Sequence, residues 1–142
     1  MDEARIADRI AIERLNWDFG YLLDHGGEGA EDAFVGLFTP DALYRSGEAV
    51  RDGAERIRAF FAARAATGRT SRHVLTGLRI DFDGPERATG TSIGTTYAAD
   101  GPAPVASTLP FLVADIVDVY VRVDRWRIAE RRIAPVFVAA QG

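Results

Sequence analysis

The chain has no cysteine. That absence excludes a disulfide framework, a thiolate metal site and a cysteine nucleophile, and it leaves the redox compartment unconstrained. Histidine is nearly as scarce. His25 and His73 are the only two, with no His-x-His pair and no clustered histidine and carboxylate spacing of the kind that holds a metal. There is no Gly-x-Ser-x-Gly elbow for serine catalysis. The Gly-x-Gly pattern at Gly27 and Gly29 follows a helical stretch instead of a strand, so it is no phosphate cradle. Chemistry without cofactor or metal is the consistent expectation.

Long apolar runs are also missing. None approaches the roughly 18 residues of a membrane-spanning helix, so no membrane partner is expected. Residues 1 to 12, MDEARIADRIAI, lack the basic start and continuous apolar run of a secretory signal, which makes the cytoplasm the expected location. The 17 basic residues are outnumbered by 21 acidic ones, for a net charge of -4, and they are scattered, so nucleic acid is not an expected partner.

What is present is globular. A chain of 142 residues that is 47% apolar and 27% charged can bury a continuous core and fits a single domain spanning 1–142. Residues 2 to 24 carry apolar side chains at helical spacing, with Ile12, Leu15, Phe19, Leu22 and Leu23 on one face and Ile6, Ile10, Trp17 and Tyr21 on another. Such a helix is expected to be covered on two sides. The glycines of His25-Gly26-Gly27-Glu28-Gly29 end it.

A second, short helix over Ala30 to Phe38 stops at Thr39-Pro40-Asp41, and Ala42 to Tyr44 reads as a short strand. Asp52 is placed to cap a third helix over about Ala54 to Ala66, with Ile57, Phe60 and Phe61 facing inward. From Ser71 the texture changes to strand. His73 to Phe82 and Ala88 to Ala98 flank an Asp83-Gly84-Pro85 turn, Thr108 to Val123 is a long strand, and Trp126 to Phe137 is a last one, short or bent at Pro135. Three N-terminal helices packed on a curved antiparallel sheet make an α+β domain, with no parallel-sheet cofactor site implied.

The order of these elements and their wording resemble the SnoaL-like branch of the nuclear transport factor 2-like superfamily over nearly the whole chain. The resemblance rests on Tyr21 to Gly27 (YLLDHGG), Leu37 to Ala42 (LFTPDA), Arg72 to Thr76 (RHVLT), and Asp118 to Asp124 (DVYVRVD) continuing through Trp126 to Arg131 (WRIAER). It implies a cone-shaped, cystatin-like fold enclosing a pocket. The superfamily hosts dehydratases, isomerases, cyclases, hydrolases, dioxygenase small subunits and pure binding modules, so the likeness leaves the reaction open.

Within that range the chain is most similar to dehydratases of scytalone and bile-acid type, at Asp24 and His73. The resemblance implies that these two face each other in the cone, with His73 as general acid and base and Asp24 setting its tautomer. The departures are equally specific. The tyrosine that bile-acid-type enzymes place five residues before the aspartate falls on Phe19, and the second histidine of scytalone-type enzymes falls near Tyr97 or Ala98. The base aspartate of the ketosteroid isomerases falls near Ser46, which disfavours that activity.

Each candidate has a plain structural alternative. His73 can be a satisfied core or strand-start residue, and Asp24 can simply bond the amides of the glycine turn. Trp17, Tyr21 and Asp24 share one helical stripe while Phe19 and Leu23 point elsewhere, so unwinding at the glycines is one way to bring Asp24 into the same hollow. His25 reads as a solvated turn residue. Phe19, Leu23, Tyr44, Phe60 and Tyr97 are read as an apolar wall and Asp115 as a polar pocket group, with ordinary core packing as the alternative for the aromatics. Asp118 reads as a structural acid paired with Arg122 or Arg131.

The expectation that follows is a cofactor-independent lyase or isomerase, dehydratase- or polyketide-cyclase-like, acting on a hydrophobic carbonyl-bearing small molecule. The alternative is a non-catalytic ligand-binding or structural subunit, like those that partner aromatic-ring dioxygenases. The apolar strand at 108 to 123 predicts a homo-oligomer, most simply a dimer, although trimers occur in relatives.

Overall fold

The computed structural model describes residues 3–106 and 109–140. Along them run α1 (Glu3–His25), α2 (Ala30–Val35), β1 (Phe38–Ser46), β2 (Ala49–Val50), α3 (Ala54–Ala65), β3 (Thr70–Phe82), β4 (Arg87–Ala99), β5 (Leu112–Arg122) and β6 (Trp126–Val138). The strands form one six-stranded sheet in the order β2-β1-β6-β5-β4-β3. Register shifts between Thr76 and Arg79 and at two points of the β5–β6 ladder bend it. The helices pack on its inner face, and β3 to β6 form the expected meander.

Several expectations need correction. The sheet is mixed, because β1 runs parallel to β6. A parallel neighbour needs a long connection, and here everything from α3 to β5 supplies it. The second helix closes at Gly36, so Phe38 opens β1 instead of ending α2. Pro40 falls in the register shift between Phe38 and Leu43, where its missing N–H costs no ladder bond. Asp52 caps nothing: the cap position of α3 is Gly53, and Asp52 accepts a 2.8 Å bond from Arg45. The last strand runs on to Val138 and is bent at Pro135 as expected, where the β5 ladder shifts register between Pro135 and Phe137, beyond the end of the β1 ladder at Ile133. Asp2 and Thr108, expected in the first helix and the long strand, lie outside the described residues.

The first helix is covered on one face only. Ile12, Leu15 and Phe19 are buried, whereas Ile6, Ile10, Trp17 and Tyr21 are exposed, Trp17 at 62% and Tyr21 at 63%. Beneath it, Phe19, Phe34, Phe38, Tyr44, Phe60 and Phe61 form one aromatic cluster with ring centroids 5.0 to 6.4 Å apart. Each such ring contributes roughly 1.5–3 kcal/mol through burial. The cluster ties α1, α2 and α3 to β1.

A buried polar network ties α1 to the far strands. Arg131 and Asp118 are fully buried and bidentate, with Nε to Oδ1 at 2.8 Å and Nη2 to Oδ2 at 2.9 Å. Asn16 accepts a further bond from Arg131 Nη2, and the Tyr120 hydroxyl donates to Asp118 at 2.6 Å. Burial opposes the charge on Arg131, but the Asp118 carboxylate beside it holds the guanidinium pKa above its ordinary value. Asp118 is thus paired with Arg131, in line with the structural role expected for it.

Candidate active site

Asp24 and His73 meet. The last turn of α1 lies against the start of β3, and Gly20 makes the close approach possible: a Cβ there would stand 3.1 Å from the His73 carbonyl oxygen. Asp24 stays within the helix, which runs on to His25, so no unwinding is needed. Gly20 and Asp24 face β3, while Phe19 and Leu23 reach the cavity from the adjoining side of the helix.

The Asp24 carboxylate is nearly buried and accepts three bonds. His73 N–H donates to Oδ2 at 2.8 Å, Ser71 Oγ donates to Oδ1 at 3.0 Å, and His73 Nδ1 lies 2.6 Å from Oδ1. Burial opposes ionisation of Asp24. The bonds from the His73 ring, the His73 N–H and Ser71 outweigh it and hold the carboxyl below its ordinary value of 3.8. An ionised carboxylate can only accept, so the proton between them sits on Nδ1 and Nε2 is left as the basic nitrogen. Among the described residues Nε2 has no hydrogen-bond partner, and His73 lines the cavity between helices and sheet.

The lowered pKa has a measurable sign. The unfolded chain binds the Asp24 proton more readily than the native one, so this stabilisation is complete above about pH 4 and fades as the pH falls through the lowered native value. Urea midpoints of wild type and Asp24→Asn should therefore differ most at pH 7 and draw together as the pH falls below about 4. A gap that does not change with pH would contradict the assignment.

The cavity has a volume of about 200 Å³. Phe19, Leu23, Tyr44, Phe60 and His73 line it, together with Leu75, Phe111, Ile116 and Ile133. Tyr44 is buried, its pKa is raised by that burial against the pull of Arg51, Arg131 and Arg64, and its hydroxyl has no hydrogen-bond partner among the described residues. It is a protonated donor in an apolar wall. Ser46 also faces this space.

Two of the sequence-predicted residues are elsewhere. Tyr97 is 41% exposed on the outer face, because β4 alternates and it is Gly94, Thr96 and Ala98 that point inward. Asp115 is likewise exposed, between the inward-facing Ala114 and Ile116. His25 is exposed against Tyr21, with 4.4 Å between ring centroids. Other residues of the site went unmarked. Ser71 shares the face of His73 at a spacing of two, a signal strand periodicity carries. Arg51, Arg64 and Arg69 also line the cavity. Arg64 falls on the stripe of Ile57, Phe60 and Phe61 at helical spacing, so a base on an inward face was the available signal. Arg51 and Arg69 are in segments whose inward direction only the fold sets. Among the described residues no cluster of three or more histidine and carboxylate side chains is placed to hold a metal, and no helix is long and apolar enough to cross a membrane.

These features define a class: an α+β domain in which a helical layer and a bent sheet enclose a cavity with an Asp–His pair in its wall. The chain belongs to the SnoaL-like domain family, whose model matches residues 4–132. No curated protein matches it significantly. Among solved structures it is similar to a provisionally assigned scytalone dehydratase from Novosphingobium aromaticivorans (TM-score 0.82, 19% identity, covering 96% of this chain and 89% of that one). It is also similar to a protein of unknown function from Mycobacterium tuberculosis (TM-score 0.80, 23% identity, 95% and 75%). A third is a nuclear transport factor 2-like protein with a cystatin-like fold from N. aromaticivorans (TM-score 0.77, 23% identity, 95% and 86%). At these identities the likeness is one of fold.

Proposed function

We propose that the protein is a cofactor-independent lyase or isomerase of dehydratase or cyclase type, which moves a proton next to the carbonyl of an apolar small molecule held in the cavity. The observation that carries this reading is the 2.6 Å contact between Asp24 Oδ1 and the Nδ1 of His73, a residue that lines the cavity, an arrangement that leaves Nε2 as the base for a molecule bound there. In the proposed step Nε2 takes the α-proton and the imidazolium that forms is stabilised by the buried carboxylate. The same proton is then returned, to a departing hydroxyl in an elimination or to another carbon in an isomerisation. The Tyr44 hydroxyl is the donor proposed for the carbonyl oxygen, in place of the hydroxyl that Phe19 lacks.

The test is hydrogen–deuterium exchange. A panel of apolar ketones is incubated in D₂O with wild type and with His73→Asn, and loss of the α-proton signal is followed by NMR. Exchange that wild type accelerates and the variant does not is the expected result. Equal rates with both proteins would overturn the reading.

The protein is further proposed to be a homodimer that pairs through the outer face of the sheet. That face exposes Val74, Ile93, Tyr97 and Val117 and also carries Arg72, Asp115 and Arg132, so a twofold pairing can set an acid of one copy against an arginine of the other. Sedimentation equilibrium should give the mass of two chains for wild type and of one for Val117→Arg. A wild-type mass of one chain at every concentration would refute the pairing.

A further inference from the structure

The lining of the cavity contains three arginines, Arg51, Arg64 and Arg69, and no carboxylate, in a chain whose net charge is -4. Asp24 lies just behind His73, but its three accepted bonds commit it there. Arg64 is the telling one. It sits on the inward stripe of α3, its guanidinium forms no ion pair or hydrogen bond with any described residue, and its Nε is buried without a partner. Burial lowers its pKa against the pull of Asp24 and Tyr44, and Arg69 adds the smallest push, in the same direction as burial. A guanidinium N–H buried without a hydrogen-bond partner costs the fold that holds it. Its retention makes sense where a ligand supplies the anion.

The neighbours strengthen this. Arg51 is stacked over the Phe60 ring at 4.3 Å and over Tyr44 at 5.6 Å, and has no ion pair among the described residues. Arg69 lies 5.3 Å from the Phe111 ring, and its ion pair at 3.3 Å is with Asp100, a residue almost fully exposed. Such an exposed pair is worth about 0–1 kcal/mol and yields readily to a better acceptor. The aromatic stacking holds two guanidinium planes in place before any ligand arrives. The rest of the wall is mostly apolar, and a volume of about 200 Å³ suits a body of one or two rings.

We propose that the substrate is an apolar carboxylic acid whose carboxylate is held by Arg64, flanked by Arg51 and Arg69, with its hydrophobic body against Phe19, Leu75 and Ile116. A planar carboxylate matches the guanidinium fork, and charge-assisted bonds of this kind are the strong ones. Anchoring that end fixes which carbon of the body faces His73 Nε2. The inference names the substrate class of the proposed reaction site and so rests on that reading, but it is tested by binding alone.

The experiment is calorimetric titration with 2-naphthoate and with its neutral isostere 2-naphthamide. Wild type should bind the acid at least about tenfold more tightly than the amide, the scale of a hydrogen bond to a charged group. Arg64→Met should lose that preference while its affinity for the amide stays the same, and Arg64→Lys should keep part of it. His73→Asn should leave it intact. Equal binding of acid and amide, no binding of either by wild type, or an unchanged preference in Arg64→Met would each overturn the inference. Should Arg64→Met not fold, an undiminished preference in Arg64→Lys together with Arg51→Met would overturn it as well. Loss of α-proton exchange in wild type with the acid preference intact would condemn the Asp–His mechanism and leave the carboxylate site standing.

Discussion

Replacing His73 by asparagine is expected to lower α-proton exchange by about 10²- to 10⁴-fold, the range that a positioned acid–base group contributes. Asparagine keeps the strand and the backbone N–H that donates to Asp24, so the melting temperature should move little. Asp24→Asn should reach a comparable loss by a different route. An amide at that position can donate to Nδ1, which puts the ring proton on Nε2 and leaves no base facing the cavity. The two variants are told apart by the ring nitrogens. ¹⁵N chemical shifts of His73 should show the proton on Nδ1 in wild type and on Nε2 in Asp24→Asn. Full activity in either variant would remove the Asp–His pair from the mechanism.

The second large effect is on stability. Asp118→Leu leaves Arg131 a fully buried cation without its carboxylate, and removing one member of such a pair costs about 3–5 kcal/mol. For a domain of this size that corresponds to a fall in melting temperature of roughly 10 °C or more. The double variant Asp118→Leu/Arg131→Met should recover most of the loss, since a well-packed apolar pair of similar volume is often as stable as the ion pair it replaces. Denaturant unfolding of the two single variants and the double closes the cycle. A single variant as stable as wild type would show that the network contributes nothing to the fold. The surface pairs Arg14–Asp18 and Arg87–Asp83, by contrast, are exposed and screened, and their removal should be nearly silent.

The elements were legible where local chemistry decides them. Helical spacing in α1 and α3, the glycine turn at 26–29, and the Asp83-Gly84-Pro85 hairpin all read directly from residue order. Boundaries failed where a partner strand decided them. Phe38 has helical spacing from Phe34, yet it pairs with Ile128 and opens a strand. Pro135 reads as an end or a bend, and it is a bend: the β5 ladder shifts register beside it and the strand runs on to Val138. The same holds in the site. Asp24 and His73 stood out as an acid before a glycine turn and a rare imidazole on a strand, and the family resemblance joined them. Tyr97 and Asp115 were assigned to the cavity, but which alternate residues of β4 and β5 turn inward depends on the register of the whole sheet, and a shift of one residue reverses every side chain.

By itself the order of residues determined the α+β class of the domain and its helical and strand segments, because propensity, periodicity and turn chemistry act over a few neighbours. Only the tertiary structure decided that Asp24 reaches His73 without breaking its helix, that Tyr97 and Asp115 face outward, and that three arginines from separate segments converge on an apolar cavity. Those outcomes depend on the close approach of α1 to β3 at Gly20 and on strand register, and both are set by packing between residues far apart in the chain.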